Sequence, residues 1–376
     1  MLFICLYSIT QIHNSQIKTL SVILHIHYHL LNLKVEYSIL ATMKLTISFL
    51  VLLIANFIHA QSPKVHPLII GKKEAAKSFS FIHITDTHIG EGEADRDYGT
   101  VGYFDTLDGK EWGYPAARLS SSVQWINANA QTAGVDFVLV SGDLTDSGEK
   151  SEFMHFKKLM DSLSVPYFPL MGNHDAWSYN RFGDEAATAT GDSLMNEVFA
   201  GTFAGLDSSF TLRNSSRNNS WWNEESKTFV YLQNFHYSHK GYSFIFLDFN
   251  PRYHVRKDEP GIGPEAQLML GAGGTFEFLK TALATAKELN ERVFLISHHP
   301  PIASLFGFHF AFTAKEKTQL AREIKPYKKL IDGWFAGHIH RYANYNFTKA
   351  KMLSVFETKA NKAQRFGGFR LVRVKQ

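Results

Sequence analysis

The chain has 376 residues, of which 45% are hydrophobic and 20% charged, an ordinary globular composition that is able to bury a large core. Its formal net charge of +4 is small for this length and no long basic run is present, so no nucleic acid is expected as a partner. The single cysteine, Cys5, lies near the start, so the predicted domain has none with which to form a disulfide.

The segment 43–60 has the pattern of a signal peptide. It opens with Met-Lys, continues with the apolar stretch Leu45–Ile58 and ends in a small residue, alanine, where cleavage is expected. Because the apolar stretch is shorter than the ~20 residues that a membrane-spanning helix needs, no stable span is expected in the mature chain. An uncleaved membrane anchor is the alternative. Residues 1–42 show no clear period and are expected to be a non-native extension. From the signal peptide pattern of 43–60 we predict an exported protein, periplasmic or secreted.

From residue 78 short apolar runs alternate with amphipathic segments, which predicts an α/β domain within 61–376. The expected strands are Phe79–Thr85, Val135–Val140, Val165–Leu170, Tyr242–Leu247, Arg292–Ile296 and Ile331–Phe335. The expected helices are Pro115–Ala133, Glu149–Leu163, Thr275–Leu289 and Lys315–Ile324. Alternating strands and helices favour parallel pairing with right-handed crossovers. The tail alternates in short runs that predict antiparallel strands closing a second sheet: Tyr342–Phe347, Met352–Glu357 and Gly368–Val374.

Two long polar stretches interrupt this pattern and are expected to be inserts. One is near 89–114, and the other, near 176–240, carries the adjacent Trp221 and Trp222 in a polar tract. The tryptophans favour a lid or rim beside the functional site. A surface insertion that packs its own aromatic side chains is the alternative. Loops on a fixed scaffold usually set specificity, so both inserts are expected to do so.

Five polar clusters follow apolar runs, where α/β sheets usually place their ligands. Aspartate and histidine supply oxygen and nitrogen donors suited to Zn, Mn or Fe, and a carboxylate such as that of Asp143 is able to bridge two cations. Each cluster alone is weak, because a lone Asp-x-His is more often hydrogen-bonded structure, but together they predict a two-metal centre. The clusters are Asp86-Thr87-His88, Gly142-Asp143-Leu144-Thr145-Asp146, Gly172-Asn173-His174-Asp175, His298-His299-Pro300-Pro301 and Gly337-His338-Ile339-His340.

This series of motifs resembles the calcineurin-like metallophosphoesterase superfamily, from about Phe79 to His340. The resemblance implies a four-layer α/β/β/α sandwich with two mixed β-sheets and a dinuclear metal site at the carboxyl ends of the strands. By motif position, Asp143 would bridge the two metals. The first metal would be held by Asp86, His88, Asp143 and His340, and the second by Asp143, Asn173, His298 and His338.

The resemblance also implies two catalytic residues beside the ligands. His174 would be an acid near the leaving group, and Asp146 would orient it, as the aspartate of protein serine/threonine phosphatases does. Purple acid phosphatases carry a tyrosine where this chain has Asp146, so no purple enzyme is expected. The arginines that follow these motifs in the protein phosphatases are missing, which argues against a phosphoprotein substrate.

The sequence thus predicts hydrolysis of a phosphoric ester by a metal-bridging hydroxide in an exported enzyme. A small phosphodiester is favoured, because the Gly142–Asp146 motif is similar to bacterial cyclic-nucleotide and glycerophosphodiester phosphodiesterases. A phosphomonoesterase is the first alternative, and a non-catalytic metal-binding protein that recognises a partner is the second. Arg252, His254 and His309 are candidates for contact with the small-molecule substrate, and an ordinary surface position is the alternative for each.

Overall fold

The computed structural model describes ten ranges, all within one compact unit that begins at Ser62. The ranges are 62–71, 78–90, 113–146, 148–176, 191–223, 228–252, 266–268, 274–301, 312–347 and 353–375. The predicted upstream extension and the predicted signal segment therefore lie outside the described residues. Within these ranges, no helix combines the length and the apolar character required to cross a membrane.

Fourteen strands are described in these ranges. They are β1 Lys64–Ile70, β2 Phe79–Ile84, β3 Val135–Ser141, β4 Tyr167–Leu170, β5 Thr211–Ser215, β6 Ser220–Asn223, β7 Thr228–Tyr231, β8 Phe235–His239, β9 Tyr242–Leu247, β10 Arg292–Ser297, β11 Ile331–Ala336, β12 Ala343–Phe347, β13 Leu353–Glu357 and β14 Gly368–Val374. The helices are α1 Gly113–Ala133, α2 Lys150–Met160, the single turn α3 Asn173–Ala176, α4 Gly191–Ser209, α5 Gly274–Glu288 and α6 Ala314–Ile324, followed by a 3-10 turn at Lys325–Tyr327.

The strands form two mixed sheets and a separate β6–β7 hairpin. A five-stranded sheet has the order β1-β14-β2-β3-β4, in which β2, β3 and β4 run parallel and β14 runs antiparallel to β2. A seven-stranded sheet has the order β12-β13-β11-β10-β9-β8-β5, with β9, β10, β11 and β13 parallel. Helices connect β2 to β3, β3 to β4, β9 to β10 and β10 to β11, which are the α/β crossovers that the sequence predicts, whereas β13 follows β11 through β12.

The two sheets pack face to face through aromatic side chains. Phe81 of β2 contacts Phe244, Phe294 and Phe335 of the other sheet, with ring centroids 5.3 to 5.8 Å apart. Buried residues of α1, α2 and α4 pack on the five-stranded sheet, and those of α5 and α6 pack on the seven-stranded sheet. The described elements therefore form the expected α/β/β/α sandwich.

Three features differ from the sequence prediction. Strand β1 was not expected, because Lys64–Ile70 is partly exposed and has no long apolar run; it pairs with β14 at the sheet edge. The tail prediction holds for the antiparallel β12 and β13 but is wrong for β14, which joins the five-stranded sheet. Alternation predicts a strand but does not determine which distant strand it pairs with. The range 191–239, treated above as part of an insert, contributes α4, β5 and β8 to the sandwich.

Candidate metal centre

The five polar clusters lie at the carboxyl ends of β2, β3, β4, β10 and β11, two of which belong to the seven-stranded sheet and three to the other. Their backbone is unusual. The non-glycine residues of the described ranges with left-handed φ include five predicted ligands, whereas only Lys240 and Asn290 adopt it elsewhere. Such a conformation is costly for residues with a Cβ and persists where the surroundings enforce it, often at functional sites. The five are Asp86, His88, Asp143, His338 and His340, with φ between 45° and 69°.

The four side chains predicted to hold the first metal do meet. Asp86, His88, Asp143 and His340 each offer a donor atom, and these atoms lie within 4.8 Å of one another. His340 Nε2 is 3.1 Å from Asp86 Oδ1, and His88 Nε2 is 3.3 Å from Asp143 Oδ2. Asp86, His88 and Asp143 are buried, while His340 is partly exposed, so the group is open on one side.

A second group shares Asp143 with the first. Donor atoms of Asp143, His298 and His338 again lie within 4.8 Å of one another. His298 Nε2 is 3.2 Å from Asp143 Oδ2 and 2.9 Å from the amide oxygen of Asn173. Asn173 therefore lies where the second ligand set requires a neutral oxygen, and the Asp143 carboxylate is common to both groups.

The ionisation of the carboxylates and histidines in these two groups is compatible with a bound cation. Burial alone would raise the pKa of Asp86, but His340 lowers it well below its usual range, and His298 does the same for Asp143. Burial alone would lower the pKa of His88 and His298, but hydrogen bonds and the charge of Asp143 raise them to about 10 and about 9. In the metal-free chain, protons on histidine thus balance the buried carboxylates. A metal ion is able to replace these protons, and the oxygen and nitrogen donors suit divalent metals of intermediate hardness.

Asp146 and His174 lie beside the first group, and their contacts differ from the expected pair. Asp146 Oδ1 is 2.8 Å from His88 Nδ1 but 3.7 Å from His174 Nδ1. His174 Nδ1 instead donates to the backbone carbonyl of Asp146 at 2.7 Å. The nearer imidazole partner of the Asp146 carboxylate is thus the predicted ligand His88. The side chains of His88, Asp146 and His174 also form a third group with donor atoms within 4.8 Å.

Asp175 joins two of the loops, a role that the sequence analysis did not assign. Its carboxylate accepts hydrogen bonds from the backbone N–H groups of Leu144, Thr145 and Gly172, at 2.8 to 3.0 Å, and from the Thr145 hydroxyl at 2.7 Å. Burial and the nearby charge of Asp143 raise the pKa of Asp175 to about 6. The turn at Gly172 is thereby held against the loop that carries Asp143. An acidic residue directly after Asn-His was the available sign.

The remaining candidate residues are placed differently. His299 is fully buried beside His338, with ring centroids 4.4 Å apart, and so lies against the second group. Arg252 is buried in ion pairs with Asp192 and Asp248, so neither substrate contact nor a surface position describes it. His254 and His309 lie outside the described residues.

The aromatic tract forms the β6–β7 hairpin. Trp222 packs on Phe229 across it, with ring centroids 5.4 Å apart, and the two side chains are 45% and 56% exposed. Tyr231, at the end of β7, accepts a hydrogen bond from Arg252 through its backbone carbonyl. The hairpin is therefore fixed to the loop after β9, while its function as a lid or rim stays a prediction.

The chain is similar to known phosphoesterases over most of its described length. Residues 79–342 match the family model for calcineurin-like phosphoesterases. A probable cyclic nucleotide phosphodiesterase of Rhodopseudomonas palustris is 27% identical over 268 residues, which cover 69% of this chain and 71% of that protein. A probable glycerophosphodiester phosphodiesterase of Arcobacter nitrofigilis is 37% identical over 78 residues, 20% of this chain and 29% of that protein. Among solved structures, a dimetal phosphatase from Danio rerio covers 75% of this chain and 87% of its own, at 12% identity and a TM-score of 0.46.

Proposed function

The chain belongs to the calcineurin-like phosphoesterase family and is a phosphoric ester hydrolase that uses two metal ions, and we propose that its substrate is a small phosphodiester. The observation that carries the proposal is the shared carboxylate of Asp143. It stands between two groups of histidine and aspartate donors, with His174 beside them. This arrangement suits in-line displacement at phosphorus.

The ligand assignment is part of the proposal. Asp86, His88, Asp143 and His340 would hold one ion, and Asp143, Asn173, His298 and His338 the other. When bound, the ions stabilise negative charge on the phosphoryl oxygens and lower the pKa of water at the site. The protein holds its donors ready for this, since buried side chains and loops joined by Asp175 leave them little freedom to reorganise.

His174 is placed to move a proton. Its Nδ1 must carry hydrogen, because the Asp146 backbone carbonyl that it contacts is only an acceptor. The tautomer is thus fixed, and Nε2 is the atom that exchanges a proton with a leaving oxygen. Burial lowers the pKa of His174 to about 4 in the metal-free chain, although the charges of Asp143 and Asp146 oppose this effect. A second proton therefore needs further negative charge nearby, which an anionic substrate supplies.

A diester is favoured over a monoester by the relatives. The Rhodopseudomonas palustris protein, similar over 69% of this chain, is named as a cyclic nucleotide phosphodiesterase, and the Arcobacter nitrofigilis protein as a glycerophosphodiester phosphodiesterase. Both names describe small diesters. The low formal charge of the chain agrees with a small-molecule substrate rather than a polynucleotide.

The decisive experiment compares bis(p-nitrophenyl) phosphate with p-nitrophenyl phosphate. Metal-stripped protein from Gln61 onward is reloaded with Mn²⁺ or Zn²⁺ and assayed on both esters, beside the variants Asp143→Asn and Asp136→Asn. Metal-dependent diester cleavage that falls about 10²- to 10³-fold in Asp143→Asn is expected. Asp136 lies at the other end of β3, so Asp136→Asn should retain activity. A clear preference for the monoester would move the substrate to that class.

We also propose that the protein is exported, with the segment 43–60 removed. The support is the positive start, the apolar middle and the terminal alanine of that segment. Mass spectrometry of the protein recovered from outside the cytoplasm should give a mature chain that begins at Gln61. Recovery in the cytoplasm with an intact start would refute export.

A further inference from the structure

The loop after β9 reaches the metal centre although it supplies none of the proposed ligands. β9 ends at Leu247, which pairs with Ser297 of the neighbouring β10, so Asp248 and the residues after it lie beside His298. Asn250, two residues further on, is fully buried. Its side-chain amide donates to the backbone carbonyl of Met171, with a distance of 2.8 Å between nitrogen and oxygen. Met171 lies two residues before Asn173.

This hydrogen bond links the two sheets at the edge where the ligands meet. Met171 follows β4 of the five-stranded sheet, whereas Asn250 follows β9 of the seven-stranded sheet. The second ligand group needs both sheets in register, because Asn173 comes from one sheet and His298 from the other. A bond from the loop beside His298 to the turn that carries Asn173 fixes the distance between those two ligands. Asp175, by contrast, holds this turn only to the loop after β3, within the five-stranded sheet.

Asn250 is itself held by a buried ionic network. The Asp248 carboxylate accepts from both the backbone N–H and the side-chain amide of Asn250, at 3.1 and 2.8 Å. Arg252 donates to Asp248 at 2.6 Å, to the Asn250 carbonyl at 2.6 Å and to Asp192 of α4 at 3.0 Å. The side chains of Arg252, Asp192 and Asp248 have no solvent exposure. Burying these charges carries a large desolvation free energy, and the completed network rigidly orients the residues that it contacts.

We propose that Asn250 is a positioning residue for the second metal position. It acts through Asn173, by fixing the turn that carries this ligand against the sheet that carries His298, and Asp248 and Arg252 hold Asn250 in place. The inference rests on the ligand set given under the proposed function, but its consequence is metal affinity rather than hydrolysis. Partners that orient ligands typically change metal affinity 10- to 100-fold when they are removed.

The test measures Mn²⁺ binding to metal-stripped protein by calorimetry and by electron paramagnetic resonance of the coupled ion pair. Asn250→Ala should bind the first equivalent as the wild type does, bind the second at least about 10-fold more weakly, and lose the coupled signal at two equivalents. Ser243→Ala is the matched control, because it removes another buried polar group near the start of β9, the strand that leads to Asn250. It should leave both equivalents unchanged.

A double variant separates positioning from general destabilisation. If Asn250 acts through Asn173, then Asn173→Ala and Asn173→Ala/Asn250→Ala should bind the second equivalent equally weakly. Additive losses, equal weakening of both equivalents, or wild-type affinity in Asn250→Ala would each overturn the inference. Should Asn250→Ala not fold, Asn250→Ser takes its place, and its shorter side chain should weaken binding of the second equivalent relative to the wild type and leave the first unchanged. Wild-type protein that binds two Mn²⁺ but cleaves no diester would refute the proposed substrate and leave this inference standing.

Discussion

The Asp146 carboxylate lies 2.8 Å from Nδ1 of His88 and, through this contact, orients a proposed ligand of the first metal. Because Nδ1 of His88 is occupied by Asp146, Nε2 is the nitrogen that points towards Asp143 and is available to a metal. A carboxylate behind a metal-binding imidazole fixes its tautomer and makes it a better donor. The backbone carbonyl of Asp146 accepts a hydrogen bond from His174. Asp146 therefore orients the proposed ligand His88 through its side chain and the proposed acid His174 through its main chain.

Asp146→Asn should therefore weaken the first metal about 10- to 100-fold, with little change in the second. Calorimetric titration of the metal-stripped protein with Mn²⁺ measures both. Asp136→Asn is the matched control, because Asp136 makes a similar contact with His239, 2.7 Å from its Nε2, at the other end of β3. Unchanged metal affinity with reduced hydrolysis would show that the Asp146 carboxylate acts on His174 instead.

His174→Asn should leave both metals bound and slow the chemical step. Loss of an acid that protonates the leaving oxygen costs about 10²- to 10⁴-fold for poor leaving groups. The loss should be smaller for p-nitrophenolate, which leaves without protonation. Rates on a p-nitrophenyl diester and on an alkyl diester separate the two cases, with His155→Asn on α2 as the control. An equal loss on both substrates would mean that His174 only binds the phosphate.

The sequence predicted which side chains come together, because each follows an apolar strand, a local pattern that survives folding. It did not locate the partner of Asp146, because the choice between His88 and His174 rests on less than 1 Å of side-chain packing. It misjudged Arg252 for a related reason. A polar cluster after β9 looks like the others in sequence, but Asp192, 60 residues away, turns it into a buried ion pair. Contacts between residues far apart in the chain carry no local signature.

Gly172→Ala should damage the centre by steric contact alone. A Cβ at this position would lie 2.2 Å from both the backbone nitrogen and a carboxylate oxygen of Asp143. The carboxylate must move, so the two metals should lose their common ligand, and overpacking should cost about 1–3 kcal/mol of unfolding free energy. Metal titration and chemical denaturation measure the two effects.

Gly201→Ala is the control for that substitution. Gly201 lies in α4 with nothing within 4 Å of the added Cβ, so alanine should stabilise the helix by about 0.5–1 kcal/mol and leave metal binding unchanged. A Gly172→Ala protein with wild-type metal affinity would show that the Asp143 loop is able to adjust.

Buried neutral histidines should make the fold sensitive to acid. His236 of β8 is fully buried with its Nε2 2.9 Å from the Ser243 hydroxyl, and burial lowers its pKa to about 4. The unfolded chain, with an ordinary histidine pKa near 6.5, takes up the proton first as the pH falls, so the contribution of His236 is complete above pH 6.5 and is lost towards pH 4. Between pH 6.5 and 5 this amounts to about 1.5 kcal/mol of unfolding free energy. In urea denaturation of the metal-free protein, His236→Gln should lose about that much less over the same interval, because the other titrating groups are common to both proteins. Parallel curves for the two proteins would mean that His236 is able to ionise in the folded state.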